Sequence, residues 1–117
     1  MPRSVAAYLS DIVDACNAVA AVLAGVDLVT YQETRAVRSS VEREFILVGE
    51  AVAAIRRLDP QAAQGISHAR KIVGFRNLLA HEYAAVDDET VFGFATDDLP
   101  LLRRECAALL DGVERGD

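Results

Sequence analysis

Apolar residues recur along the chain at three- and four-residue spacing, the period of an amphipathic helix. Val5, Leu9, Ile12, Val13, Cys16, Val19, Ala20 and Leu23 form the first such stripe. It predicts a helix from Ser4 to Ala24, capped by the Ser4 hydroxyl and stopped by Gly25. Asp27 to Thr30 reads as a connection, and Thr30-Tyr31-Gln32-Glu33 fits a capping box. A second helix is therefore expected from Tyr31 to Leu58, carrying Val37, Val41, Phe45, Val48, Val52 and Ile55 on one stripe. Asp59-Pro60 ends it, because proline disfavours helical geometry in the residue before it.

Residues 61–66 read as a short link with room for one helical turn. A third helix is expected from Ser67, through Ile72, Phe75, Leu78 and Leu79, to its end between His81 and Tyr83. Asp87 or Asp88 then caps a fourth, which runs to Val113 through Val91, Phe92, Leu99, Leu102, Cys106, Leu109 and Leu110. Pro100 lies inside that stretch. It predicts a kink, or a break at which Asp97 or Asp98 caps a fifth helix. No segment alternates at period two for the length of a strand, and no internal repeat or linker interrupts the pattern. The expected fold is all-α, an antiparallel bundle of four to five helices spanning residues 1–117 as one domain.

Composition supports this picture. Hydrophobic residues make up 52% of the 117 residues and charged residues 26%, with 7 glycines and 3 prolines. That is a globular, helix-leaning balance. Cys16 and Cys106 fit neither a zinc spacing nor a CxxC motif, and read as small buried hydrophobes of a reducing cytosol, with a disulfide between them as the alternative. The longest apolar run, Ala18 to Val26, is shorter than the roughly 20 residues a bilayer requires. No signal-peptide pattern is evident at the start of the sequence. These features lead to the expectation of a soluble, cytoplasmic protein with no membrane partner. The net charge of −6 argues against a general nucleic-acid binder, and no DNA partner is expected. It leaves room for an enzyme that gathers a few cations in one cleft. Eleven of the twelve basic residues are Arg, the side chain that grips phosphate bidentately, although GC-rich coding produces the same bias.

One segment carries residues capable of chemistry. On a helical wheel with Arg76 at zero, Tyr83 falls at about −20°, Ala80 at about 40°, Asn77 at about 100° and His81 at about 140°. Ile72, Phe75, Leu78 and Leu79 fall between about −40° and −160°, on the opposite side. The helix thus buries one face and presents a polar one. Histidine exchanges protons near neutral pH, and arginine holds phosphate and stabilises charge that builds up in a transition state. Asparagine orients either group, and tyrosine donates a hydrogen bond, stacks on a base or accepts a modification. No cluster has metal-ligand spacing, so neither a metal nor another cofactor is expected. The same residues also read as ordinary helix-end side chains, with His81 satisfying last-turn carbonyls. His68 reads as surface, Arg70 and Lys71 as a solvated face, and Asp87 and Asp88 as caps. Glu50 reads either as surface or as a partner for an Arg of the site.

Arg76, four residues, His81, one residue and Tyr83 match the R-x4-H-x-Y signature of HEPN ribonucleases. The string IVGFRNLLAHEYAAVDDETVF, together with YLSDIVDA, VGEAV and DDLPLL, resembles the HepT branch over nearly the full chain. The resemblance implies a HEPN-like helical toxin that dimerises and cleaves RNA without a metal, through Arg76 and His81 with Asn77 in support. It also implies an MntA-type minimal nucleotidyltransferase antitoxin as partner, which silences the toxin by transferring AMP to Tyr83. The alternative is a non-cleaving helical subunit that docks on that partner and is modified by it. A purely structural helical dimer is a third reading. The chain departs from the family pattern at Ser67 to Arg70, where many members carry a Trp, and at Glu82, where many carry Gly.

Overall fold

The computed structural model describes residues 3–81 and 86–116. Four long helices form the bundle: α1 (Val5–Leu23), α3 (Arg35–Leu58), α5 (Ala69–His81) and α7 (Leu99–Glu114). Short helices α2 (Leu28–Glu33), α4 (Pro60–Ala63) and α6 (Asp88–Gly93) join them, and a π-helical turn over Phe94–Asp98 leads into α7. α3 lies at the centre, packed against α1 and α5, and α1 also packs against α7. Among the described residues there is no strand. The expected all-α antiparallel bundle is the observed fold, with the three short helices serving as its connections.

The helix ends show which local signals prevailed. Ser4 caps α1, its hydroxyl accepting from the Ala7 amide at 3.1 Å. Gly25 follows the helix at φ 73°, a left-handed conformation that glycine adopts without steric cost. Thr30 does not cap the second segment. Asp27 caps α2 instead, its carboxylate accepting from the Thr30 amide at 2.8 Å and leaving Thr30 inside the helix. Hydrogen bonding to the charged form holds that carboxyl below its ordinary range. The expected continuous helix is also broken at Thr34, an extended residue at φ −114° and ψ 93°. Its hydroxyl donates back to the Thr30 carbonyl at 2.7 Å, satisfying an orphan acceptor at the end of α2.

Asp59 closes α3 as expected and caps α4, accepting from the Ala62 amide at 3.1 Å. α5 begins at Ala69 rather than Ser67, because Glu105 of α7 takes the Ser67 amide at 3.1 Å and its hydroxyl as well. Asp87 caps α6. Neither Asp97 nor Asp98 caps α7: both belong to the π-helical turn, and Asp98 binds Lys71 at 3.1 Å. The wider turn passes directly into a helix that has Pro100 in its first turn, where no intrahelical N–H is required.

One core cluster unites the elements, with Leu9, Ile12, Tyr31, Phe45, Ile55, Ile72, Leu99 and Leu102 among its fully buried members. By length and composition α1 is apolar enough to cross a bilayer, yet Leu9, Ile12, Cys16, Val19 and Leu23 bury one side of it in this shared core. Cys16 and Cys106 are both buried and free.

Candidate active site

α5 owes its position to its back. Ile72, Phe75 and Leu79 are buried. The Phe75 ring stacks on Phe94 with centroids 4.4 Å apart and meets Phe45 edge-on at 5.3 Å. Phe45 in turn meets Phe94 edge-on at 5.7 Å. Two helices, α3 and α5, and the π-helical turn therefore meet through one aromatic cluster, and offset or edge-on rings add about 0.5–1.5 kcal/mol per pair beyond area burial. Of the polar face expected from the wheel, Asn77 and His81 are exposed, whereas Arg76 is half-buried where α5 crosses α3, and Leu78 of the apolar face is only half-buried.

Arg76 is seated by α3. A Cβ at Gly49 would stand 2.1 Å from the Arg76 Cβ and 2.4 Å from its Cγ, so the two helices approach at a point that excludes any side chain on α3. One residue further along α3, the Glu50 carboxylate accepts from Arg76 Nη2 at 3.0 Å. Asn77 Oδ1 accepts from Arg76 Nη1 at 2.9 Å. Arg76 Nε is buried with no hydrogen-bond partner among the described residues. Such an orphan donor costs stability and marks a place that packing alone does not explain. Of the two readings open for Glu50, pairing with the site arginine is the observed one.

His81 is the last residue of α5. It lies five positions beyond Arg76, about 7.5 Å along the axis and about 140° around it. Arg76 borders a groove of about 420 Å³ with Tyr8, Glu50, Ala53, Ala54 and Arg57, and His81 is not among its walls. The structure thus joins Arg76, Asn77 and Glu50 and leaves His81 at the helix end. Tyr83 and Glu82 lie outside the described residues. His68 and Arg70 are exposed, and Lys71 is engaged with Asp98 and the Phe94 ring, away from Arg76. Among the described residues no group of three His, Cys, Asp or Glu side chains is placed to hold a metal ion.

The roles of Gly49, Tyr8 and Arg57 were not anticipated from the sequence. A glycine inside a long helical stripe is itself a signal of close backbone approach, and Gly49 gave that signal. Nothing local marks Tyr8 or Arg57, because only the packing of α1 on α3 brings them to the same groove.

The all-helical bundle displays Arg76 and His81 of an R-x4-H motif on one helix, α5. Among known proteins, the HepT-like family, described as Ribonuclease HepT-like, matches residues 12–109, and the chain belongs to that family. Two relatives come from Methanocaldococcus jannaschii. The protein named "Putative RNase MJ1380" is 26% identical over 103 residues, covering 88% of this chain and 94% of its own. "Putative RNase MJ1216" is 23% identical over 117 residues, covering 98% of this chain and 94% of its own. No solved structure gives a significant match.

Proposed function

We propose that the protein is the toxin of a toxin–antitoxin pair, an endoribonuclease that cleaves RNA without a metal through Arg76 and His81. The observation that carries this reading is the seating of Arg76, gripped by Asn77 and Glu50 on a helix that ends in His81, in a chain of the HepT-like ribonuclease family. A base accepts the proton of a ribose 2′-hydroxyl while its oxygen attacks the adjacent phosphorus. The P–O5′ bond breaks, and an acid returns a proton to the departing 5′-oxygen. The products are a cyclic phosphate and a free 5′-hydroxyl. Arg76 stabilises the charge building on the non-bridging oxygens, and Asn77 orients its guanidinium. Because Arg76 and His81 point about 140° apart on one helix, a second copy is the natural source of the missing group. In a homodimer, His81 and the partner subunit's His81 share the base and acid roles.

Regulation follows from Tyr83. An MntA-type nucleotidyltransferase antitoxin brings ATP, the tyrosine oxygen attacks the α-phosphorus, and pyrophosphate leaves. The added AMP fills the cleft and repels RNA. Both events belong in the cytoplasm, where RNA and ATP are available. The test is growth on expression without the antitoxin: the wild type arrests it, and His81→Ala does not. Arrest by both proteins, or by neither, contradicts the reading.

A second reading has its own support. Arg76 already engages a carboxylate, and the chain carries a net charge of −6. Both suit a non-cleaving subunit that docks on the nucleotidyltransferase. Intact-mass analysis after co-expression, alongside an RNA cleavage assay, separates the two: AMP on Tyr83 with no cleavage by the bare protein favours the docking subunit.

A further inference from the structure

The α1–α3 seam carries two grooves of similar size and opposite charge. One, of about 330 Å³, is lined by Asp11, Asp14, Ala15, Ala18, Glu44 and Leu47 and holds three carboxylates and no cation. The other, of about 420 Å³, contains Arg76 and Arg57 against the single carboxylate of Glu50, with Tyr8 completing the wall. Ala53 and Ala54 keep its floor low. Glu50, Ala53, Ala54 and Arg57 are spaced three and four residues apart, so they present one face of α3 to this groove. The Arg3 guanidinium sits 5.1 Å from the centroid of the Tyr8 ring and is itself tied to Asp11 at 2.6 Å, which restrains the ring where it borders the groove.

We propose that the Tyr8–Arg57 groove is the subsite for the RNA nucleotide next to the phosphate held by Arg76. This rests on the ribonuclease reading above and extends it to residues that neither the R-x4-H motif nor the family match assigns. Single-stranded RNA is held by cations that follow its backbone and by aromatic rings that stack on its bases. This groove supplies one of each beside the site arginine. Arg57 contacts the neighbouring phosphate, and Tyr8 contacts the base. The volume suits one nucleotide, since sites for ligands of that size occupy about 300–1,000 Å³. The acidic groove further along the seam repels a polyanion, so the strand engages the Arg57 end and is turned away from Asp11, Asp14 and Glu44. In a chain of net charge −6, this local excess of cations lets an acidic protein take an acidic substrate.

The test is fluorescence anisotropy with a labelled single-stranded RNA whose 2′-hydroxyls are all methylated, so that attack is blocked and binding is read alone. Tyr8→Ala is expected to raise Kd at least about fivefold, while Tyr8→Phe, which keeps the ring, stays at the wild-type value. Arg57→Ala is expected to weaken binding and to lower the slope of log K against log salt by about 0.7, the contribution of one phosphate contact on a single strand. Arg104→Ala, exposed on α7, serves as the control with an unchanged Kd. Tyr8→Ala and Arg57→Ala proteins that match the wild type in both Kd and salt slope overturn the subsite, even if the wild type cleaves ordinary RNA. A wild type that neither binds the methylated RNA nor cleaves the unmodified strand overturns the ribonuclease reading, and the subsite with it.

Discussion

Gly49 on α3 and Arg76 on α5 occupy the same point of the helix crossing, where a Cβ on Gly49 would lie 2.1 Å from the Arg76 Cβ. Replacing a mid-helix glycine with alanine ordinarily stabilises by up to about 1 kcal/mol. Here the neighbour is the root of a side chain on another helix and has no room to give. Gly49→Ala is therefore expected to destabilise by about 1–3 kcal/mol in urea unfolding, as overpacking does. It also displaces Arg76 and lowers RNA cleavage. A more stable Gly49→Ala protein with full activity would show that the crossing is looser than described.

Glu50 and Arg76 form a partly exposed pair, with side chains 58% and 26% accessible respectively. Solvent screening keeps such pairs below about 1 kcal/mol, so Glu50→Gln is expected to change stability by less than that. Its effect should appear in binding. Removing the carboxylate frees the guanidinium for phosphate, and affinity for methylated RNA rises. Weaker binding by Glu50→Gln would instead assign Glu50 to holding Arg76 in its productive orientation.

Phe75 ties the site helix to the core through Phe94 and Phe45. Phe75→Ala removes a buried ring at the centre of three elements and is expected to cost about 3–5 kcal/mol in urea unfolding. A loss below about 1 kcal/mol would mean that α5 is anchored elsewhere.

The fold was legible because its signals are local and repetitive. The stripes of α1, α3 and α7 set the period, and Ser4, Gly25, Asp59 and Asp87 act at the helix ends where the sequence placed them. Thr30 misled because Asp27, three residues earlier and read only as part of the connection, is the stronger acceptor and caps α2. The late start of α5 was hidden because Glu105, 38 residues away, takes the Ser67 donors. The π-helical turn was reduced to a question about Pro100. In the site, Arg76, Asn77 and His81 stood out by type and spacing. The Gly49 seat and the Tyr8–Arg57 groove did not, because they exist only once α1, α3 and α5 are packed together.

Burial pushes the Cys16 and Cys106 thiols up to about 12, chiefly by desolvation. In the unfolded chain a thiol ionises near about 8.5. The folded state therefore gains from keeping both thiols neutral, fully below the unfolded value and progressively less as pH rises towards the folded one. Urea midpoints are expected to fall between about pH 8.5 and 12, and to fall less in a Cys16→Ala, Cys106→Ala double variant. At pH 8 a thiol reagent should label neither residue in the native protein and both after denaturation. Labelling of the native protein would contradict the burial.

The most direct test of the central claim is cleavage of total cellular RNA by the purified, unmodified protein in EDTA, with His81→Ala beside it. Fragments are expected from the wild type, and cleavage by His81→Ala at least about a hundredfold slower, the scale on which a general acid or base contributes. Equal cleavage by both, or cleavage by neither when mass spectrometry finds Tyr83 bare, would contradict it.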